Sequence, residues 1–148
     1  MFSIDITNFT AQRLPQKLVI KAATYAAKKL RLQGELSLVL AGDKRLHTLN
    51  RDYRGKDKPT DILTFPGSLG ALGEIFINLN DCRRPQKYIE VFGGKKSFEY
   101  ILIFLLLHGL LHLSGLDDEK ENERLAMITA GEKMMKELVK NGIMKAEK

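Results

Sequence analysis

The run His108–Asp118, HGLLHLSGLDD, sets two histidines four residues apart, a glycine three residues after the second, and an aspartate three beyond that. Residues four apart share one face of a helix, with Cβ atoms roughly 5–6 Å apart, so two imidazoles in this register reach one ion. Gly115 supplies the stop: a glycine just past a helix takes the left-handed conformation that other residues avoid, and the turned chain brings Asp118 back towards the histidine face. Two nitrogens and one carboxylate oxygen leave the fourth position of a tetrahedral zinc open, as in a catalytic rather than a structural site. His108, His112 and Asp118 are therefore the candidate ligands of one divalent ion. Other duties compete for them. An apolar helix also holds histidines as hydrogen-bonded core residues, and Asp118 with Glu121 has the spacing of a capping box that would open the last helix. Asp117 is then the neighbouring ligand, although the spacing from His112 favours Asp118.

The same stretch decides the fold class. Phe98 to Leu116 is almost continuously apolar, with Ile101–Leu107 unbroken, yet it carries Glu99 and two histidines and is barely long enough to span a bilayer. A helix apolar all round is one covered all round, so this reads as the central helix of a soluble core. Upstream, alternating Phe2, Ile4 and Ile6 predict a first strand, and Pro15 opens a helix to about Leu32 that Gly34 closes. Leu36–Ala41 reads as a second strand, and Asp43 as the cap of a short helix carrying Leu46, Leu49 and Tyr53. Arg54–Pro59 is a polar, proline-ended loop; Ile62–Phe65 and Glu74–Asn78 are strands three and four. A helix between Asn80 and Val91, the central helix from about Ser97, and an amphipathic helix from Asp118 to about Val139 complete the chain, with 141–148 a frayed tail. Strands in the first half and helices in the second give an α+β domain: a small mixed four-stranded sheet packed with about five helices, the metal site on the central apolar helix.

The chain has 148 residues, 44% of them apolar and 28% charged, which suits one folded domain over 1–148 and excludes a disordered chain. Its 24 Lys and Arg against 18 Asp and Glu leave a net charge of +6, which favours polyanionic partners such as nucleic acid. The single Cys82 excludes an internal disulfide and fits a reducing compartment. The start, MFSIDITNFTAQR, lacks the charged and apolar regions of a secretory signal, so a cytoplasmic protein without a membrane anchor is expected.

Two further stretches complete a pattern: LNRDYRGKDKPTDILTFP, Leu49–Pro66, and LGEIFI, Leu72–Ile77. With HGLLHLSGLDD they resemble, in the same order and with similar gaps, the three motif blocks of the YbeY family of bacterial endoribonucleases and rRNA maturation factors. The resemblance implies a zincin-like α+β fold and one divalent metal, usually zinc. It also implies cleavage of single-stranded RNA in maturation of the 16S rRNA 3′ end and in ribosome quality control. Its partners would be rRNA and the ribosomal subunit or its proteins, with no DNA and no membrane. His108 and His112 match two of the family's three metal histidines, and Arg54 its catalytic-site arginine. The chain departs from the pattern at Asp117-Asp118, where the family motif ends Asp-His. Aspartate is a competent zinc ligand, but it shortens the reach and adds negative charge, and oxygen ligation makes harder ions such as Mn²⁺ plausible beside Zn²⁺.

In helix-borne zinc proteases the motif H-E-x-x-H supplies a glutamate base; that position here is Gly109. Peptide hydrolysis is thereby disfavoured, whereas phosphodiester cleavage requires charge stabilisation that a metal and a guanidinium provide. Arg54 would bind the phosphate through its planar fork. Arg51, Lys56, Lys58, Arg83, Arg84 and Lys87 are the candidate phosphate-tracking surface, and Thr60 and Asp61 the candidates for shaping the cleft. His47 is given no role. Two other classes stay open: an RNA-binding ribosome-assembly module with a structural metal, and a metal-dependent hydrolase of another substrate.

Overall fold

The computed structural model describes residues 1–147. Its axis is the apolar helix. Ser97 takes an extended backbone and its hydroxyl accepts from the Tyr100 N–H at 3.1 Å, so the side chain satisfies one of the donors that a helix start leaves orphaned. Helix α5 (Phe98–Leu113) then buries Ile101 to Leu107 without a break, and Gly109, Leu110 and Leu111 after them. An amphipathic helix would show an exposed stripe here; α5 shows none because it is enclosed by the sheet on one side and by other helices around it.

The sheet has four strands, β1 (Phe2–Asn8), β2 (Gly34–Ala41), β3 (Ile62–Pro66) and β4 (Ala71–Asn78), in the spatial order β1-β2-β4-β3. β1, β2 and β4 run parallel, and β3 pairs with β4 antiparallel at the edge. Parallel neighbours need a crossover. Helix α1 (Gln16–Leu30) makes the one between β1 and β2, burying Val19, Ala22, Ala23, Ala26 and Ala27. Strand alternation then sorts the side chains. Leu36, Leu38, Leu40, Ile75 and Ile77 join α1, α5 and helix α6 (Glu121–Lys140) in the main core. Ala41 and Leu63 face the other way, onto Leu46 of helix α2 (Asp43–Arg54).

Two glycines set how closely layers approach. A Cβ on Gly109 would lie 2.7 Å from Ile75 Cδ1, so α5 rests directly on β4 there. Gly73, at φ +152°, has no room for a side chain, since a Cβ would meet the Phe65 carbonyl at 2.5 Å and Leu113 at 2.8 Å.

Several boundaries differ from the expectations. Arg31, not Gly34, closes α1: it takes φ 56° and its N–H returns to the Ala27 and Lys28 carbonyls. Gly42 is the N-cap of α2, because the Asp43 carboxylate is engaged by Arg84 and Asn78. The helix expected between Asn80 and Val91 is three short pieces: α3 (Leu79–Cys82), a 3-10 turn (Pro85–Tyr88) and α4 (Ile89–Phe92). Pro85 has no N–H to continue α3. The last helix begins at Glu121, with Lys120 as its N-cap residue and the Glu123 carboxylate accepting from the Lys120 N–H at 3.2 Å. Within the segment expected as a frayed tail, Met144 is 8% exposed against the core, and the Glu147 carboxylate accepts from the Ser97 N–H and hydroxyl. Lys148 lies outside the described residues. Among the described residues six α-helices stand where about five were expected, and none of them is long and apolar enough to cross a membrane.

Candidate metal centre and its cleft

Capping by Lys120 and Glu123 releases Asp118 from the competing duty that its sequence context offered. The chain leaves α5 through Ser114 and Gly115, the latter at φ +108°, and returns over the end of the helix. Asp118 Oδ2 then sits 3.2 Å from Nε2 of both His108 and His112. The three donors lie within 4.8 Å of one another.

These contacts suit a cation better than they suit hydrogen bonds. A tetrahedral ion with bonds of about 2.0–2.1 Å holds its donors roughly 3.3 Å apart, whereas a charge-assisted N–H···O bond contracts to about 2.7–2.9 Å. His112 Nδ1 lies 3.2 Å from the Leu116 carbonyl. With the proton there, the neutral ring turns the Nε2 lone pair to the carboxylate, lone pair against lone pair, an arrangement that a cation between them resolves. Burial, with the His112 imidazole beside it, lowers the His108 pKa against the pull of Asp118 and Asp61, favouring the neutral ring that ligation requires. Burial pushes the Asp118 carboxyl up, but His112 and His108 outweigh it, so it lies below its ordinary value. The residues present thus fit one divalent ion. His108 Nδ1 is buried with no partner among the described residues.

The triad stands in the wall of a cleft of about 540 Å³. Apolar side chains of β3, α5 and α6 make most of the wall, and its polar groups are Arg54, Thr60, Asp61, Thr64, Tyr88, Arg124 and the triad itself. Arg54 is the last residue of α2, where Gly55 at φ +70° ends the helix. Neither Arg54 nor Arg124 has a side-chain hydrogen bond or ion pair among the described residues. Arg124 and Tyr88 carry no signal in the sequence reading: one sits in the first turn of a charged helix, the other in a segment whose local structure was uncertain. Only the folded chain brings them together with Arg54, Asp61 and the triad.

The candidate phosphate surface divides. Lys56 and Lys58 stand exposed in the loop after Arg54, and Arg51 pairs with Asp52 at 3.0 Å. None of the three lines the cleft. Arg84 is committed to Asp43 (2.7 Å) and Asp81 (2.8 Å), and Lys87 to Asp81 (2.8 Å). Arg83 lies over the Phe98 ring at 4.3 Å and bonds Gln12. Cys82 is buried, and its thiol is pushed up to about 12 by that burial and by Asp81 and Asp61; it is no nucleophile. His47 lies 2.6 Å from Asp57, outside the cleft.

Comparison with known proteins finds relatives over most of the chain. The endoribonuclease YbeY of Brevibacillus brevis is 35% identical, covering 93% of this chain and 98% of its own. That of Halalkalibacterium halodurans is also 35% identical, over 89% and 91%. The solution structure of a Thermotoga maritima protein superposes with a TM-score of 0.58 over 99% of this chain and 97% of that one, at 24% identity, which speaks for the fold alone. The family described as Endoribonuclease YbeY matches residues 3–139, a span that contains the triad, Arg54 and all of the sheet except Phe2. With relatives this similar over nearly its whole length, the chain belongs to the endoribonuclease YbeY family.

Proposed function

We propose that this chain is a metal-dependent endoribonuclease specific for single strands, that it matures the 3′ end of 16S rRNA and serves ribosome quality control, and that it works in the cytoplasm as one domain. His108, His112 and Asp118 hold the ion, zinc before manganese, and Arg54 binds the phosphate to be cut. The observation that carries this reading is the convergence of three metal-type donors in one cleft with two arginines that have no side-chain partner among the described residues. A cleft of about 540 Å³ belongs to the size class of small-ligand pockets. It suits a few unpaired nucleotides, whose bases meet its apolar wall, better than a duplex.

When bound, the ion supplies a Lewis acid to the phosphoryl group and acidifies a water. The protein's own groups do the rest. Arg54 projects from a helix end and offers two parallel N–H donors to non-bridging oxygens, where charge grows in the transition state. The apolar wall of Ile62, Phe104 and Leu105 keeps bulk water from that charge. Lys56 and Lys58, exposed beside Arg54, would follow the strand outwards.

The reading is tested with single-stranded and duplex RNA of one sequence. Cleavage of the single strand is expected, abolished by chelator and restored by one equivalent of zinc or manganese. Arg54→Ala, at unchanged metal content, is expected to lower kcat/KM by about 10²-fold or more. Binding without turnover at any metal load would replace the reading with the RNA-binding assembly module. Turnover of peptides but not RNA would replace it with the other hydrolase, which Gly109 already disfavours.

A further inference from the structure

The geometry points to Asp61 as the general base of this site, an assignment that rests on the RNA-cleaving reading above. A hydrolytic site needs a group to take the proton of the attacking hydroxyl. The helix position that would carry a glutamate is closed, because Gly109 abuts Ile75. Of the two carboxylates that line the cleft, Asp118 is committed to the triad, which leaves Asp61.

Asp61 is held as a base should be held. It lies just before β3, and its own carbonyl accepts from the Asn78 N–H at 2.8 Å, which ties its backbone to β4. The buried Tyr88 hydroxyl donates to Oδ2 at 2.9 Å. Oδ1 has no donor among the described residues, yet is not a buried atom. One oxygen is thus anchored by a buried phenol while the other is accessible and unpaired among the described residues, on a side chain that lines the cleft, the arrangement of a base oriented by a third group. Burial and the Asp61 charge keep the Tyr88 phenol protonated, so Tyr88 remains a donor.

In the step this implies, Asp61 Oδ1 takes the proton of the attacking O–H and that oxygen's electron pair forms the new bond to phosphorus. The P–O bond to the departing nucleoside breaks with its pair on the leaving oxygen. The proton returns to that oxygen through water, so no acid or base is consumed. Tyr88 does not touch the substrate and is a positioning residue.

Asp61→Asn tests this directly, because the amide oxygen still accepts from Tyr88 and the shape is kept. The expected result is a loss of about 10²-fold or more in kcat, with RNA affinity and metal content within about twofold of wild type. Over the pH range in which the ion stays bound, the acidic limb of the kcat profile should also disappear. The titratable and charged groups facing Asp61 are Tyr88, His108 and Cys82, with Arg54, Arg124 and Asp118 elsewhere in the cleft. Metal content is therefore followed at each pH, to separate loss of the base from loss of the ion. Tyr88→Phe is expected to reduce kcat about tenfold and to keep the limb, since the carboxylate stays. Asp61→Asn that cleaves within about threefold of wild type, with its limb intact, overturns the assignment and leaves the nuclease reading standing. A wild type that holds its ion and cleaves no RNA overturns both.

Discussion

Aspartate at 118 changes the character of the centre more than its shape. A carboxylate donates more charge than a third imidazole and draws the ligand set towards harder ions, so equal loading with zinc and manganese in turn is the informative comparison. Asp118→Ala should reduce bound metal from about one ion per chain to near none by elemental analysis, since two imidazoles alone fall short of the usual three protein ligands. Gly109 makes a second point at this scale. Gly109→Ala gains helix propensity of up to about 1 kcal/mol but drives a methyl into Ile75, and overpacking costs roughly 1–3 kcal/mol. A net loss of up to about 2 kcal/mol in urea unfolding is expected. How legible these residues were follows from how local their signals are. The histidine pair is written in one helical turn, whereas the freedom of Asp118 depends on Lys120 and Glu123 taking the cap. Tyr88 and Arg124 reach the cleft only through the packing of separate elements.

Among the elements, α3 and the 3-10 turn hold together by charge. Asp81, 2% exposed, accepts from Arg84 and Lys87, and Arg84 reaches on to Asp43 at the start of α2. Hydrogen bonds from Arg84 hold the Asp43 carboxyl down at about 2, against an ordinary 3.8. A carboxylate with a depressed folded pKa stabilises fully above its unfolded value, and that stability is lost as the pH falls through the folded one. Arg84→Met should therefore destabilise by about 2 kcal/mol at pH 7, chiefly by stripping a partner from buried Asp81. The part owed to Asp43 should vanish between about pH 4 and pH 2, as urea titrations at stepped pH would show. The strands were legible because a half-buried strand alternates and a buried one runs apolar. Their order β1-β2-β4-β3 was not, since register between distant segments leaves no periodicity in either. The helix broken at Pro85 failed for a related reason: its pieces are fixed by Asp43 and Asp61, residues far outside any local window.

For the molecule as a whole, the proposed centre would also be a staple. His108 and His112 belong to α5 and Asp118 to the connection into α6, so an ion that binds only the folded chain adds its binding energy to stability. With free metal at 100 times Kd the gain is about 2.7 kcal/mol, and chelation should lower Tm by roughly 5–10 °C for a chain of this size. Asp118→Ala should start near the chelated value and respond little to chelator. The enclosure of α5 has a different consequence, for synthesis. Residues 98–113 are the largest block of the core and come late in the chain. While the ribosome still holds them, the inner faces of β2 and β4 have only α1 and the short helical pieces after β4 to meet, and stay greasy and sticky. A nascent chain arrested before position 98 is thus the form most in need of a chaperone, and the fold closes only when translation is nearly done.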